Sequence, residues 1–244
     1  MRNIRLDICY DGTRYQGWQR QVTTEDTIQG KLETALSRIL GEPIEISGSG
    51  RTDAGTHAKG QVASFHCRSD MPCDEILQQL HRYLPGDIGI NSCKEASERF
   101  HARLNARSKT YCYRIWNSQL PCVFERRYVH ILPEKLDVDA MRAAARYLLG
   151  RHDFAAFCTN AGKKKSTVRT LTELRIEQVG CELRFWVSGD GFLHNQVRIM
   201  VGTLLEVGLG QRSPDSLEAL FSAKRADAGI KLPSKGLCLE EVVY

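Results

Sequence analysis

The sequence predicts an α+β fold built as two halves that share a sheet and a cleft. Two observations predict it. Segments that alternate apolar and polar residues are mixed along the chain with segments of helical period. Each half, taken as residues 1–105 and 106–244, combines strands with two or three helices. The chain has 244 residues, 42% of them apolar, which is enough for a real core.

The elements follow in order. Ile4-Arg5-Leu6-Asp7-Ile8 alternates and reads as a strand, and Asp11-Gly12 ends it with a turn signal. Ile28, Leu32, Ala35, Leu36, Ile39 and Leu40 keep helical spacing. Asp26 with Gln29 resembles a capping box for that helix, and Gly41 stops it. Ile44-Glu45-Ile46 and Gln61–Phe65 are strand-like and flank a glycine-rich turn. Ile76, Leu77, Leu80 and Leu84 mark a second helix, ended by Pro85-Gly86. Residues 107–116 alternate again as a strand.

In the second half, Asp137 caps a helix through Met141, Ala144, Ala145, Leu148 and Leu149, closed by Gly150. Leu171–Glu177 and Glu182–Ser188 read as a hairpin around Val179-Gly180. Leu193, Val197, Met200, Val201 and Leu204 form one stripe of a further helix. Arg198 lies about 120° from the centre of that stripe, so it is expected to point sideways rather than into the core. Ser213-Pro214-Asp215 starts a short helix, and residues 236–243 form a last strand.

A formal net charge of +5 is mildly basic and by itself says little about partners. Its distribution says more. Arg99, Arg103, Arg107, Lys109, Arg114, Arg126 and Arg127 interleave with Phe100, Tyr111, Tyr113 and Trp116, and Glu125 is the one acid in that run. Arginines for phosphates and rings for bases suit single-stranded RNA; a solvated strand face is the alternative. Nine cysteines without a C-x-x-C pair argue against a zinc site and against a secreted disulfide frame. The N-terminal residues lack the apolar core of a signal peptide, and no apolar run approaches a membrane span. A soluble, cytoplasmic protein is expected.

Chemistry concentrates in Gly48-Ser49-Gly50-Arg51-Thr52-Asp53-Ala54-Gly55. It sets one carboxylate, Asp53, in a turn of three glycines, two residues after an arginine. Glycines allow φ > 0 and close approach of a ligand. Arg51 would favour the ionised carboxylate, a nucleophile or base. Read alone, a turn aspartate bonded to its own backbone is the commoner explanation. A dinucleotide fingerprint would need glycine at position 53, and a P-loop would need Gly-Lys-Ser/Thr.

The stretch GSGRTDAGTHAKGQVASF closely resembles the catalytic segment of the TruA-type tRNA pseudouridine synthases. Other segments resemble the same family, in order and at matching spacing. They are residues 10–19 (YDGTRYQGWQ), 27–33 (TIQGKLE), 100–103 (FHAR), 106–113 (ARSKTYCY), 152–154 (HDF), 192–198 (FLHNQVR) and 236–239 (GLCL). Ser49, Thr56 and Gln196 depart from the family's usual Ala, Val and Met.

The resemblance implies two similar α/β-sandwich halves on a mixed, mainly antiparallel sheet with a central cleft, the pseudouridine synthase fold. It implies conversion of uridine to pseudouridine at tRNA positions 38 to 40, without cofactor or metal, by a homodimer. By resemblance Asp53 is the essential carboxylate, adding covalently or removing a proton. Tyr111 would stack on the flipped uracil and serve proton transfer at C5; a buried strand tyrosine is the alternative. Arg198 would pair with Asp53 across the cleft; a surface helix arginine is the alternative. Arg51 would position Asp53 or help displace the base. Leu237 would line the uracil pocket, with plain core as the alternative. Lys164, within Lys163-Lys164-Lys165, would touch a tRNA phosphate or lie in a solvated loop. The same chemistry on ribosomal RNA, or a non-catalytic RNA-binding or RNA-folding role, remains open.

Overall fold

A computed structural model describes residues 1–159 and 166–244. The chain runs β1 (Arg2–Tyr10), α1 (Ile28–Leu40), β2 (Ser47–Gly48), β3 (His57–Cys67), α2 (Cys73–Tyr83), β4 (Ile88–Ala96) and β5 (Ser108–Trp116). It continues through β6 (His130–Ile131), α3 (Val138–Tyr147), β7 (Gly150–Asp153), β8 (Val168–Val179), β9 (Glu182–Gly189), α4 (Gln196–Gly208) and β10 (Leu237–Val243). A 3-10 stretch, Pro214–Ser222, starts at the Ser-Pro signal. Two compact units result: Met1–Arg107 with Cys238–Tyr244, and Ser108–Leu237.

In the first unit β1 pairs antiparallel with both β3 and β4, and β10 lies parallel to β3 through Cys238↔His57 and Leu239↔Ala58. Alternation along β1 sends Ile4, Leu6 and Ile8 inward at 0% exposure. Each such burial stabilises by about 1.5–3 kcal/mol. Thr27, not Asp26, caps α1: its side chain accepts from Gly30 N–H at 3.2 Å. Asp26 pairs with Lys31 Nζ at 3.0 Å instead. Gly41 ends α1 in the left-handed region, φ 71°, as its position after the apolar run requires.

Ile44–Ile46 is not a strand. Its isoleucines are buried, but only Ser47–Gly48 joins the ladder, against Ser64 and Ala63. Residues 238–244 belong with this unit although the sequence reading carried the second half to 244. Arg107 N–H donates to Val243 O at 2.8 Å, and the Tyr244 hydroxyl to Ala102 O at 2.7 Å.

In the second unit β5, β9, β8 and β7 form an antiparallel ladder, and β6 runs parallel to β5. Asp137 caps α3 by accepting from Ala140 N–H at 2.9 Å. The single apolar stripe expected of α4 is wrong. Twelve of its thirteen residues are buried, the pattern of a helix covered on all sides. A Cβ at Gly202 would lie 2.0 Å from Ile230 O, so the 228–232 segment rests directly on the helix. Gly229 N–H fixes it there by donating to Thr203 Oγ1 at 2.9 Å. No helix among the described residues is long and apolar enough to cross a membrane.

Candidate active site

Asp53, half-buried, sits in the first unit, in the turn between β2 and β3. The turn is clamped to the segment that leaves β1. Trp18 N–H donates to Thr52 O at 3.0 Å, and Gly55 N–H to Tyr15 O at 3.2 Å. The hydroxyls of Tyr10 and Thr52 share a bond of 2.8 Å, and Thr56 N–H closes onto Asp53 O at 3.1 Å. The backbone is therefore fixed on both sides of the carboxylate. Burial pushes the Tyr10 hydroxyl pKa well up, so it remains a phenol at neutral pH. The same segment caps α1: Gly17 O and Trp18 O accept from Ile28 and Gln29 N–H at 3.2 and 3.0 Å.

The turn glycines serve different ends. Gly55 alone of the three has positive φ, at 75°. Gly48 makes room instead, since a Cβ there would lie 2.5 Å from the Trp18 indole. A requirement of both kinds lies outside the turn, at Gly17. Its φ is 91°, and a Cβ would meet Thr52 O at 2.6 Å. Ser49 and Gln61 support the turn from within: Ser49 Oγ donates to Gln61 Oε1 at 2.6 Å, and Gln61 Nε2 to Gly50 O at 3.1 Å. Arg51 is exposed, and its Nε donates to Gln19 Oε1 at 2.8 Å.

The second unit holds Tyr111, Arg198 and Leu237. Tyr111 on β5 is 7% exposed and meets Phe192 edge to face at 5.1 Å. Tyr113 shares its strand face, is fully buried, and donates its hydroxyl to Pro233 O at 2.8 Å. It is therefore no base-stacking ring. Burial raises its pKa, with the Arg198 charge opposing.

Arg198 does not point sideways to solvent; it is buried at 8% exposure. Because α4 has cover all round, the guanidinium is tucked under that cover. Its Nε donates to Leu232 O and its Nη1 to Asn195 Oδ1, both at 2.7 Å. Asn195 is the one non-glycine residue with positive φ among those described, at 64°, a conformation asparagine tolerates. Its Nδ2 donates to Thr159 Oγ1 at 2.8 Å. Leu237, 7% exposed, opens β10. Lys164 lies outside the described residues.

The basic run is more engaged than its sequence suggested. Arg114 forms a bidentate pair with Glu182 at 2.6 and 2.9 Å and reaches Glu125 at 3.1 Å. Phe100 packs on Tyr244 at 5.0 Å. Among the described residues no group of three or more His, Cys, Asp or Glu is placed to hold a metal ion. Sequence reasoning gave Gln19, Glu33 and Asn195 no individual role, and gave Gln29 only a place in a capping box. The one available signal was the Gln29/Glu33 pair, one helical turn apart on α1.

A family model described as tRNA pseudouridine synthase matches residues 8–105 and 144–244. The chain is 47% identical over 245 residues to tRNA pseudouridine synthase A 2 of Clostridium perfringens, covering 100% of both. It is 45% identical to tRNA pseudouridine synthase A of Bacillus sp. (strain KSM-64) and 44% to that of Acetivibrio thermocellus, again over 100% of each chain. Matched by the family model over both of its units, and by these relatives along its whole length, the chain belongs to the tRNA pseudouridine synthase family.

Proposed function

We propose that the protein isomerises uridine to pseudouridine at positions 38, 39 and 40 in the anticodon stem-loop of tRNA. The reading is supported above all by the Asp53 turn, whose backbone is clamped at Thr52, Asp53 and Gly55 in a chain of this family. The reaction breaks the C1′–N1 bond of the nucleotide, turns the uracil, and joins C1′ to C5. The C5 proton leaves and N1 gains one, so no electron acceptor or cofactor is required.

Asp53 is the carboxylate that adds to the nucleotide or removes a proton. Tyr111 offers a ring for the uracil and a hydroxyl for the proton at C5. Arg198 supplies the compensating cation, Arg51 helps displace the base, and Leu237 lines the base pocket. Extruding the uridine costs a few kcal/mol, which contacts to the base and backbone offset. We place the enzyme in the cytoplasm as a homodimer with tRNA as its substrate.

Asp53→Asn tests the assignment. It should retain the wild-type melting temperature and tRNA affinity and form no product in a single-turnover assay. Normal turnover in that variant would refute it. Mapping pseudouridine in tRNA and ribosomal RNA from a deletion strain tests the substrate. Loss confined to positions 38 to 40 of tRNA is the expected result.

A further inference from the structure

A chain of hydrogen bonds runs from the interior of the first unit to Arg51. Glu33 on α1 is buried at 5% exposure, and its Oε1 accepts from Gln29 Nε2 at 2.8 Å. Gln29 Oε1 accepts from Gln19 Nε2 at 2.6 Å. Gln19 Oε1 in turn accepts from Arg51 Nε at 2.8 Å. The two ends fix the direction. A carboxylate only accepts and a guanidinium only donates, so each amide between them has one orientation that makes both of its bonds. Turning either amide over sets oxygen against oxygen.

Side bonds impose the same sense. Ile46 N–H donates to Glu33 Oε1 at 3.0 Å, Arg20 N–H to Gln29 Oε1 at 3.0 Å, and Gln29 Nε2 to Ile46 O at 3.3 Å. A relay this directional is more than is needed to hold a helix to a loop. Its exposed end is a rotamer-rich arginine that would otherwise sample many directions.

We propose that Gln19 and Gln29 are positioning residues for the reaction, and that the relay from Glu33 sets the Arg51 guanidinium beside the Asp53 turn before RNA arrives. This rests on the reading of Arg51 given above. Substrate then meets an arginine whose ordering is already complete, which is preorganisation in the sense used for binding sites.

The test measures single-turnover pseudouridine formation on a tRNA transcript, with melting temperature and tRNA affinity alongside. Arg51→Ala should slow the reaction. Gln19→Met keeps the side-chain shape and removes both bonds; it should slow the reaction roughly 10-fold, the scale of one hydrogen bond to a charged group. The double variant should be no slower than Arg51→Ala alone, a dependence that a merely structural role would not show.

Polarity gives a second arm. Gln29→Glu sets two carboxylates face to face and should slow the reaction. Adding Glu33→Gln removes the repulsion between the two carboxylates but sets the new amide N–H against Ile46 N–H, so it should restore the rate only in part. A wild-type rate in Gln19→Met, or fully multiplicative effects with Arg51→Ala, would overturn the relay. A wild-type rate in Arg51→Ala would overturn the assignment of Arg51 and the relay with it. Absence of product from the wild-type protein would instead overturn the proposed function.

Discussion

Arg51 and Arg198 are both held by hydrogen bonds, but by opposite means. Arg51 is exposed and is reached from the interior by a relay of flexible amides. Arg198 is buried and is gripped by a backbone carbonyl and by an asparagine fixed in a left-handed conformation. The difference teaches that removing the two groups should have separable costs. Loss of a buried donor leaves acceptors unsatisfied, whereas an exposed donor is replaced by water.

Four experiments break or sharpen that contrast. Arg198→Met should destabilise the fold most, by about 3 kcal/mol, because Leu232 O and Asn195 Oδ1 lose their donor in a dry site. Urea denaturation measures it, and a change near zero would mean that the guanidinium is not structural. Gly17→Ala should cost about 2 kcal/mol, since both the positive φ and the contact with Thr52 O oppose a methyl group. It should also slow product formation by moving the turn that carries Asp53.

Glu182 supplies the third experiment, because it holds Arg114 and Arg184 through a charge instead. Burial pushes its carboxyl up, but hydrogen bonds from both arginines outweigh this and hold it below the ordinary 4.5. The stability from its ionised form is complete above that ordinary value and is lost as pH falls through the lower folded one. The stability gap between wild type and Glu182→Gln should therefore be about 1–2 kcal/mol at neutral pH and close in acid. A gap independent of pH would sink this account. Arg51→Ala should move stability least, within about 0.5 kcal/mol, while activity falls.

Much of the frame could be read from residue order. The strand at Ile4–Ile8, the helix from Ile28, the Asp137 cap and the hairpin at Gly180 all follow from local spacing and turn chemistry. Local signals failed where the environment decides. The pattern in α4 was read as one stripe, yet Ile199 lies on the opposite side and is buried too, and the 228–232 segment rests on the helix at Gly202 and Thr203. Arg198 was misplaced for the same reason. Residues 88–96 and 150–153 were not read as strands, because neither shows clean alternation of inward and outward residues. Asp53 was visible as a carboxylate in a tight turn. The clamp at Tyr15 and Trp18 and the amides of Gln19 and Gln29 were not, because amide direction exists only once both ends of the chain of bonds are in place.

The return of residues 238–244 to the first unit has a consequence for the order in which the protein can mature. The first unit lacks its parallel partner to β3 until those residues exist, whereas the second unit is continuous from 108 to 237. During synthesis, domains fold as units once their residues have emerged. The second unit can therefore finish first, and the half of the molecule that carries Asp53 finishes last. On a ribosome the unit that carries Asp53 is complete only once β10 has emerged, after the whole of the second unit.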